Sequence, residues 1–154
     1  MDQLPAVGQP APDFTLPSHL DGDVQLSAMR GKKVAILFYP FDFSPGCTKE
    51  VTSFRDVYYL VKEFDAEMVA ISPDHVWAHK AFSKSLDGIP YPLLADWGMA
   101  VTKVYGVHNP DRNCPQRTAF IVDREGVVQF VNAAFDPRDP GHYAQVLEEL
   151  EKLP

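Results

Sequence analysis

The chain has 154 residues, 45% of them hydrophobic, enough for one compact domain over residues 1–154 with its own core. Its 14 basic residues against 21 acidic ones give a net charge of −7, which argues for solubility and against a sequence-independent grip on nucleic acid. The opening MDQLPAVGQP has no positive, apolar leader pattern and no apolar run approaches bilayer length, so a cytoplasmic protein with no membrane partner is expected. Two cysteines, Cys47 and Cys114, are too few for a disulfide scaffold. They read as inert core thiols or as redox chemistry.

In chain order, Asp13 to Gly31 holds two short strand-like pieces joined by the turn signal DGD. KVAILFYP is a continuous apolar run rich in β-formers, the pattern of a central strand covered on both faces. Pro40 ends it, having no N–H for a ladder. Past Ser44, apolar residues at Val51, Phe54, Val57 or Tyr58, Val61 and Phe64 recur at helical intervals. Ser44 fits the N-cap of that helix and Pro45 its first position. EMVAISP reads as a second buried strand, HVWAHKAFSKSL as a helix, YPLLAD as a short strand, and MAVTKVYG as a short helix closed by Gly106. RTAFIVD and VVQFVN flank REG and predict a hairpin. PGHYAQVLEELEKL, with an apolar stripe through Tyr143, Val146, Leu147 and Leu150, closes the chain as a helix. Strands alternating with helices imply an α/β fold, and the hairpin makes its central sheet mixed, with helices on both faces.

This reading puts Cys47 in the first turn of a helix that follows a central strand. A free thiol near its ordinary value of about 8.5 is only a few per cent thiolate at neutral pH. The partial positive charge of a helix N-terminus favours the thiolate, and a nearby arginine would add a charge that cannot titrate away. The plainer alternative is a small buried hydrophobe. His75 and His79 stand four apart without a third ligand, so exposed or half-buried histidines are expected rather than a metal pair. The aromatic residues, spread through the strands and helices, suit core packing.

YPFDFSPGCTKE resembles the peroxiredoxin active-site signature, with Pro40, Ser44 and Cys47 at the family's spacings of four and three. QRTAFIVDREGVV is similar to the segment whose arginine opens a later strand, which assigns Arg117. VGQPAPDFTL and AISPDHVWAHKAF resemble the start and middle of the family's chains. Among its branches, this sequence looks most like the bacterioferritin-comigratory and one-cysteine alkyl hydroperoxide reductase types.

The resemblance implies a thioredoxin-like fold with an N-terminal β-hairpin extension. It also implies a thiol-dependent peroxidase that reduces hydrogen peroxide and organic hydroperoxides through a sulfenic acid at Cys47. Arg117 and Ser44 would aim donors at sulfur and peroxide, and Pro40 would shield the sulfur. No metal or organic cofactor is implied. The partners would be a hydroperoxide and a thiol reductant, such as thioredoxin or a low-molecular-weight thiol, acting on a monomer or homodimer. Ser44 departs from the commoner threonine. Thr52 stands where many comigratory-type members carry a resolving cysteine.

Cys114 lies three residues before Arg117, within about 10 Å of it at roughly 3.3 Å per residue. It is the candidate resolving thiol; the alternative is a loop thiol that never pairs, with an outside thiol doing that work. Glu50 matches a family glutamate, but acids are favoured early in any helix, so it is left out of the site. The runner-up function is a thioredoxin-like disulfide oxidoreductase, with Pro115 ahead of a strand as a cis-proline likeness. Glu50 occupies the second cysteine position of the C-x-x-C motif it would need. A third reading is a non-enzymatic redox sensor that signals through Cys47.

Overall fold

The computed structural model describes residues 3–154. Near the N-terminus, β1 (Thr15–Pro17) and β2 (Asp23–Gln25) form a separate antiparallel pair. The turn between them takes positive φ at Asp21 and Gly22, residue types that tolerate it. Beyond β2 the predicted second piece stops being extended: Leu26–Met29 is a single 3-10 turn, with Leu26 driven into the core.

The rest runs β3 (Lys33–Phe38), α1 (Pro45–Glu63), β4 (Ala66–Ser72), α2 (Val76–Ser85), β5 (Leu93–Ala95) and α3 (Ala100–Val104). Then come β6 (His108–Asn109), β7 (Cys114–Pro115), β8 (Thr118–Val122), β9 (Val128–Asn132) and α4 (Pro140–Lys152). The main sheet has the order β5-β4-β3-β8-β9. β3, β4 and β5 are parallel, while β8 and β9 join antiparallel, so the sheet is mixed as expected. The short β6–β7 ladder carries no period that a sequence pattern can show, since each strand has two residues.

Every residue of β3 is buried because both faces of the sheet are covered. Alternation sends Ala35, Leu37 and Tyr39 toward α1 and α4, and Val34, Ile36 and Phe38 toward Phe14, Leu26 and Tyr105. α3 and the N-terminal segment cover this second face. The β8–β9 turn rests on Asp123, whose carboxylate accepts from the N–H groups of Glu125 and Val127, and on Gly126 at φ +83°.

Two expectations change. His79 is fully buried, not exposed or half-buried, because both ring nitrogens have partners. Nδ1 lies 2.7 Å from Asp42 Oδ2 and Nε2 lies 3.0 Å from the Leu94 carbonyl, while the Tyr39 hydroxyl donates to Asp42 Oδ1 at 2.6 Å. That network ties α2 to the loop leaving β3. Nor do all aromatics pack inward: Trp77 and Trp97 are 75% and 74% exposed, with His75 against them.

Candidate active site

The site forms where the chain leaves the central strand. Tyr39 still donates to the Ile71 carbonyl, but Pro40 has no N–H and the ladder ends. The loop then turns through Phe43 at φ +69° and delivers Ser44 to the N-cap of α1. Ser44 Oγ accepts from the Cys47 N–H at 3.3 Å and donates to the Phe41 carbonyl at 3.4 Å. Its hydroxyl therefore satisfies an open helix N–H rather than the sulfur. Cys47, third residue of α1, is fully buried.

Sheet register explains how Arg117 arrives from 70 residues away. β8 runs antiparallel to β3 with Phe38 opposite Thr118, so the residue before β8 falls beside the chain emerging from β3. Arg117 Nη1 lies 3.4 Å from Cys47 Sγ and donates to Glu50 Oε1 at 2.7 Å. Gly46 makes room for this: a Cβ there would stand 3.2 Å from Arg117 Nη2 and 3.6 Å from Pro137 Cγ.

Glu50 is the functional neighbour that sequence reasoning left out. It is buried one helical turn beyond Cys47 and shares the same guanidinium. The available signal was its i+3 spacing from Cys47, which puts both on one face of α1. Burial pushes the Glu50 carboxyl up to about 7 against the pull of Arg117. Burial opposes the charge on Arg117 too, but Glu50 and Cys47 outweigh it and the arginine stays a cation. Cys47 Sγ and Glu50 Oε1 thus share one guanidinium nitrogen.

A cavity of about 250 Å³ opens beside Arg117, with Pro40, Cys114, Phe135 and Pro137 in its wall. Cys114 is free and buried in β7. Burial raises its thiol and the charge of Cys47 adds to the rise, while Arg112 and Arg117 pull it back. Pro40, Ser44, Cys47 and Arg117 thus gather at one end of the sheet, and Cys114 lies in the wall of the adjoining cavity. No peptide bond among the described residues is cis, so the likeness of Pro115 to a cis-proline site does not extend to the backbone. The described residues contain no group of His, Cys, Asp and Glu side chains able to hold a metal.

The chain is similar to known proteins over most of its length. The family model described as AhpC/TSA family matches residues 7–131. The chain is 40% identical over 148 residues to the chloroplastic peroxiredoxin Q of Sedum lineare, covering 95% of this chain and 78% of that one. Among solved structures it resembles the peroxidoxin BcpB of Mycobacterium tuberculosis, with a TM-score of 0.86 at 30% identity over 97% and 99% of the two chains. It also resembles AhpC of the same organism, with a TM-score of 0.83 at 25% identity over 97% and 93%. With a buried cysteine opening α1, an arginine on its sulfur, and a family match over most of its length, the chain belongs to the AhpC/TSA family of peroxiredoxins, thiol-dependent peroxidases with a thioredoxin-like fold.

Proposed function

We propose that Cys47 is the peroxide-reducing cysteine and that Arg117, Ser44 and Pro40 build the site around it. The reading rests above all on one observation, the Arg117 guanidinium 3.4 Å from Cys47 Sγ at the start of a helix. The Arg117 cation beside the sulfur and the positive end of the α1 dipole stabilise negative charge there. The thiolate attacks the terminal peroxide oxygen, an S–O bond forms and the O–O bond breaks. Cys47 becomes a sulfenic acid and the departing oxygen leaves, once protonated, as water or alcohol. Negative charge grows on that leaving oxygen, so the donors of Arg117 and of the helix start lower the barrier. Pro40 walls the pocket, and Ser44 holds the first turn in place through the Cys47 N–H.

A second thiol then condenses with the sulfenic acid and releases water, and a further thiol regenerates Cys47 from the disulfide. Cys114 is the internal candidate, since it lines the same cavity as Arg117, which contacts Cys47. An outside thiol, thioredoxin or a low-molecular-weight thiol, is the other. The protein acts in the cytoplasm, as a monomer or homodimer, and no helix among the described residues is long and apolar enough to cross a membrane. Hydrogen peroxide consumption with dithiothreitol, set beside insulin disulfide reduction, separates this reading from a disulfide oxidoreductase. The wild type is expected to perform the first and fail the second, and Cys47→Ser to lose the first. Insulin reduction without peroxide turnover would reverse the assignment.

A further inference from the structure

The loop from Pro40 to Ser44 carries the chain from β3 to the turn that presents Cys47. Phe41 and Phe43 within it are 40% and 56% exposed, and Phe43 sits at φ +69°, a backbone conformation unfavourable for a bulky residue. The Phe43 ring touches Phe82 at a centroid distance of 5.1 Å, but half of it faces water. The residue between the two phenylalanines anchors the loop. The Asp42 N–H donates to Asp74 Oδ2 at 2.8 Å, its Oδ1 accepts from the Tyr39 hydroxyl, and its Oδ2 lies 2.7 Å from His79 Nδ1. Each partner is held in turn. The Ser72 hydroxyl, at the end of β4, donates to Asp74 Oδ2 at 2.6 Å, and His79 Nε2 lies 3.0 Å from the Leu94 carbonyl of β5. The Asp42 and His79 side chains are both buried.

Neither Asp42 nor His79 lines the cavity beside Arg117, so they act on the sulfur only through the loop. Apolar side chains could fill their place without the desolvation that a buried carboxylate and imidazole suffer. Directed bonds instead fix which way the loop runs. Arg117 enters from the β8 side of β3, whereas the loop is clamped to β4 and β5 on the other side. The 3.4 Å contact between Arg117 Nη1 and Cys47 Sγ needs both halves in place. Resting on the peroxidase reading above, we infer that Asp42 and His79 are positioning residues for Cys47. Their buried pair latches the β3–α1 loop so that the sulfur meets Arg117 and stays covered.

The test separates the two bonds of the His79 ring. Asparagine puts its amide nitrogen near the place of Nδ1 and glutamine near that of Nε2. His79→Asn therefore keeps a donor for Asp42, while His79→Gln keeps one only for the Leu94 carbonyl. Asp42→Asn keeps an oxygen for the Tyr39 hydroxyl and offers an amide N–H to Nδ1, which accepts while Nε2 donates. Two rates are read at Cys47 by peptide-level mass analysis. Oxidation by hydrogen peroxide needs the assembled site, and alkylation by iodoacetamide needs the fully buried sulfur to be uncovered. His79→Gln should slow oxidation about 10- to 100-fold, the scale for an ångström of misplacement, and should speed alkylation. His79→Asn and Asp42→Asn should keep most of the oxidation rate and the slow alkylation of the wild type. Asp42→Ala, which breaks both side-chain bonds, should repeat the split of His79→Gln and replaces it if that variant does not fold. Urea unfolding gives the stability of each variant. A purely structural role would make both rates follow stability, whichever bond was lost. Equal oxidation rates in His79→Gln and His79→Asn, or an alkylation rate that His79→Gln leaves unchanged, overturns the inference. A wild-type Cys47 that hydrogen peroxide does not oxidise overturns the peroxidase reading beneath it, a distinguishable result, and the alkylation rates still decide the latch.

Discussion

Glu50→Gln is the most informative perturbation of the buried pair, because it removes a titrating group while keeping its shape and its acceptor for Arg117. Burial pushes the Glu50 carboxyl from an ordinary 4.5 up to about 7. The folded protein therefore holds this proton more tightly than the unfolded chain does. Below pH 4.5 both forms are protonated and the group leaves stability unchanged. As pH rises from there toward 7 the unfolded chain ionises first, and stability falls; above about 7 the loss is complete. At 1.36 kcal/mol per pH unit the full loss is about 3 kcal/mol, an order-of-magnitude figure. Glutamine has no such loss. Urea unfolding of the reduced wild type and Glu50→Gln between pH 4.5 and 8 should therefore show the variant gaining on the wild type as pH rises. The gain should level off above pH 7. Parallel profiles would mean that Arg117 holds Glu50 ionised throughout, and would refute the argument that burial outweighs the ion pair.

Arg117→Ala should slow Cys47 oxidation by about 100-fold or more, the scale for losing one aimed donor at a developing negative charge, measured by stopped-flow with hydrogen peroxide. Arg117→Lys should recover stability better than rate, because lysine restores the charge facing Glu50 but not the fork that spans Glu50 and sulfur. Ser44→Ala should cost about 1 kcal/mol in unfolding free energy through the lost N-cap, and Ser44→Thr should retain it. Gly46→Ala should move stability and rate in opposite directions. Helix propensity adds up to about 1 kcal/mol, worth about 2–4 °C in Tm, while the new Cβ displaces the Arg117 guanidinium and slows oxidation. An unchanged oxidation rate in Gly46→Ala would show that the guanidinium can yield without consequence.

The core strands and the first long helix were legible because their signals are local. VAILF is apolar without alternation, as a strand buried on both faces must be, and Ser44-Pro45 marks a helix start whose cap the structure contains. The β6–β7 ladder and the 3-10 turn at Leu26–Met29 were not legible, being too short for a period to form. In the site, Cys47 announced itself by its place at a helix start, whereas Arg117 reaches it only through the pairing of β3 with β8, which no local pattern encodes. Resemblance supplied that assignment. Glu50 was visible but ambiguous, since an early-helix acid needs no partner to be favoured, and only the half-buried Arg117 guanidinium shows what it faces. The burial of His79 was hidden for a related reason: its partners Asp42 and the Leu94 carbonyl come from separate parts of the fold.

In the proposed reaction Cys47 takes oxygen from the peroxide. The direct measurement is peptide-level mass analysis of the reduced protein after one equivalent of hydrogen peroxide, quenched with a thiol-blocking reagent under non-reducing conditions. Cys47 should lose its free thiol first, appearing as a sulfenic acid or as a disulfide with Cys114, and Cys114→Ser should keep the rate of this step. A Cys47 that remains a free thiol while peroxide is consumed or another residue is oxidised would contradict it.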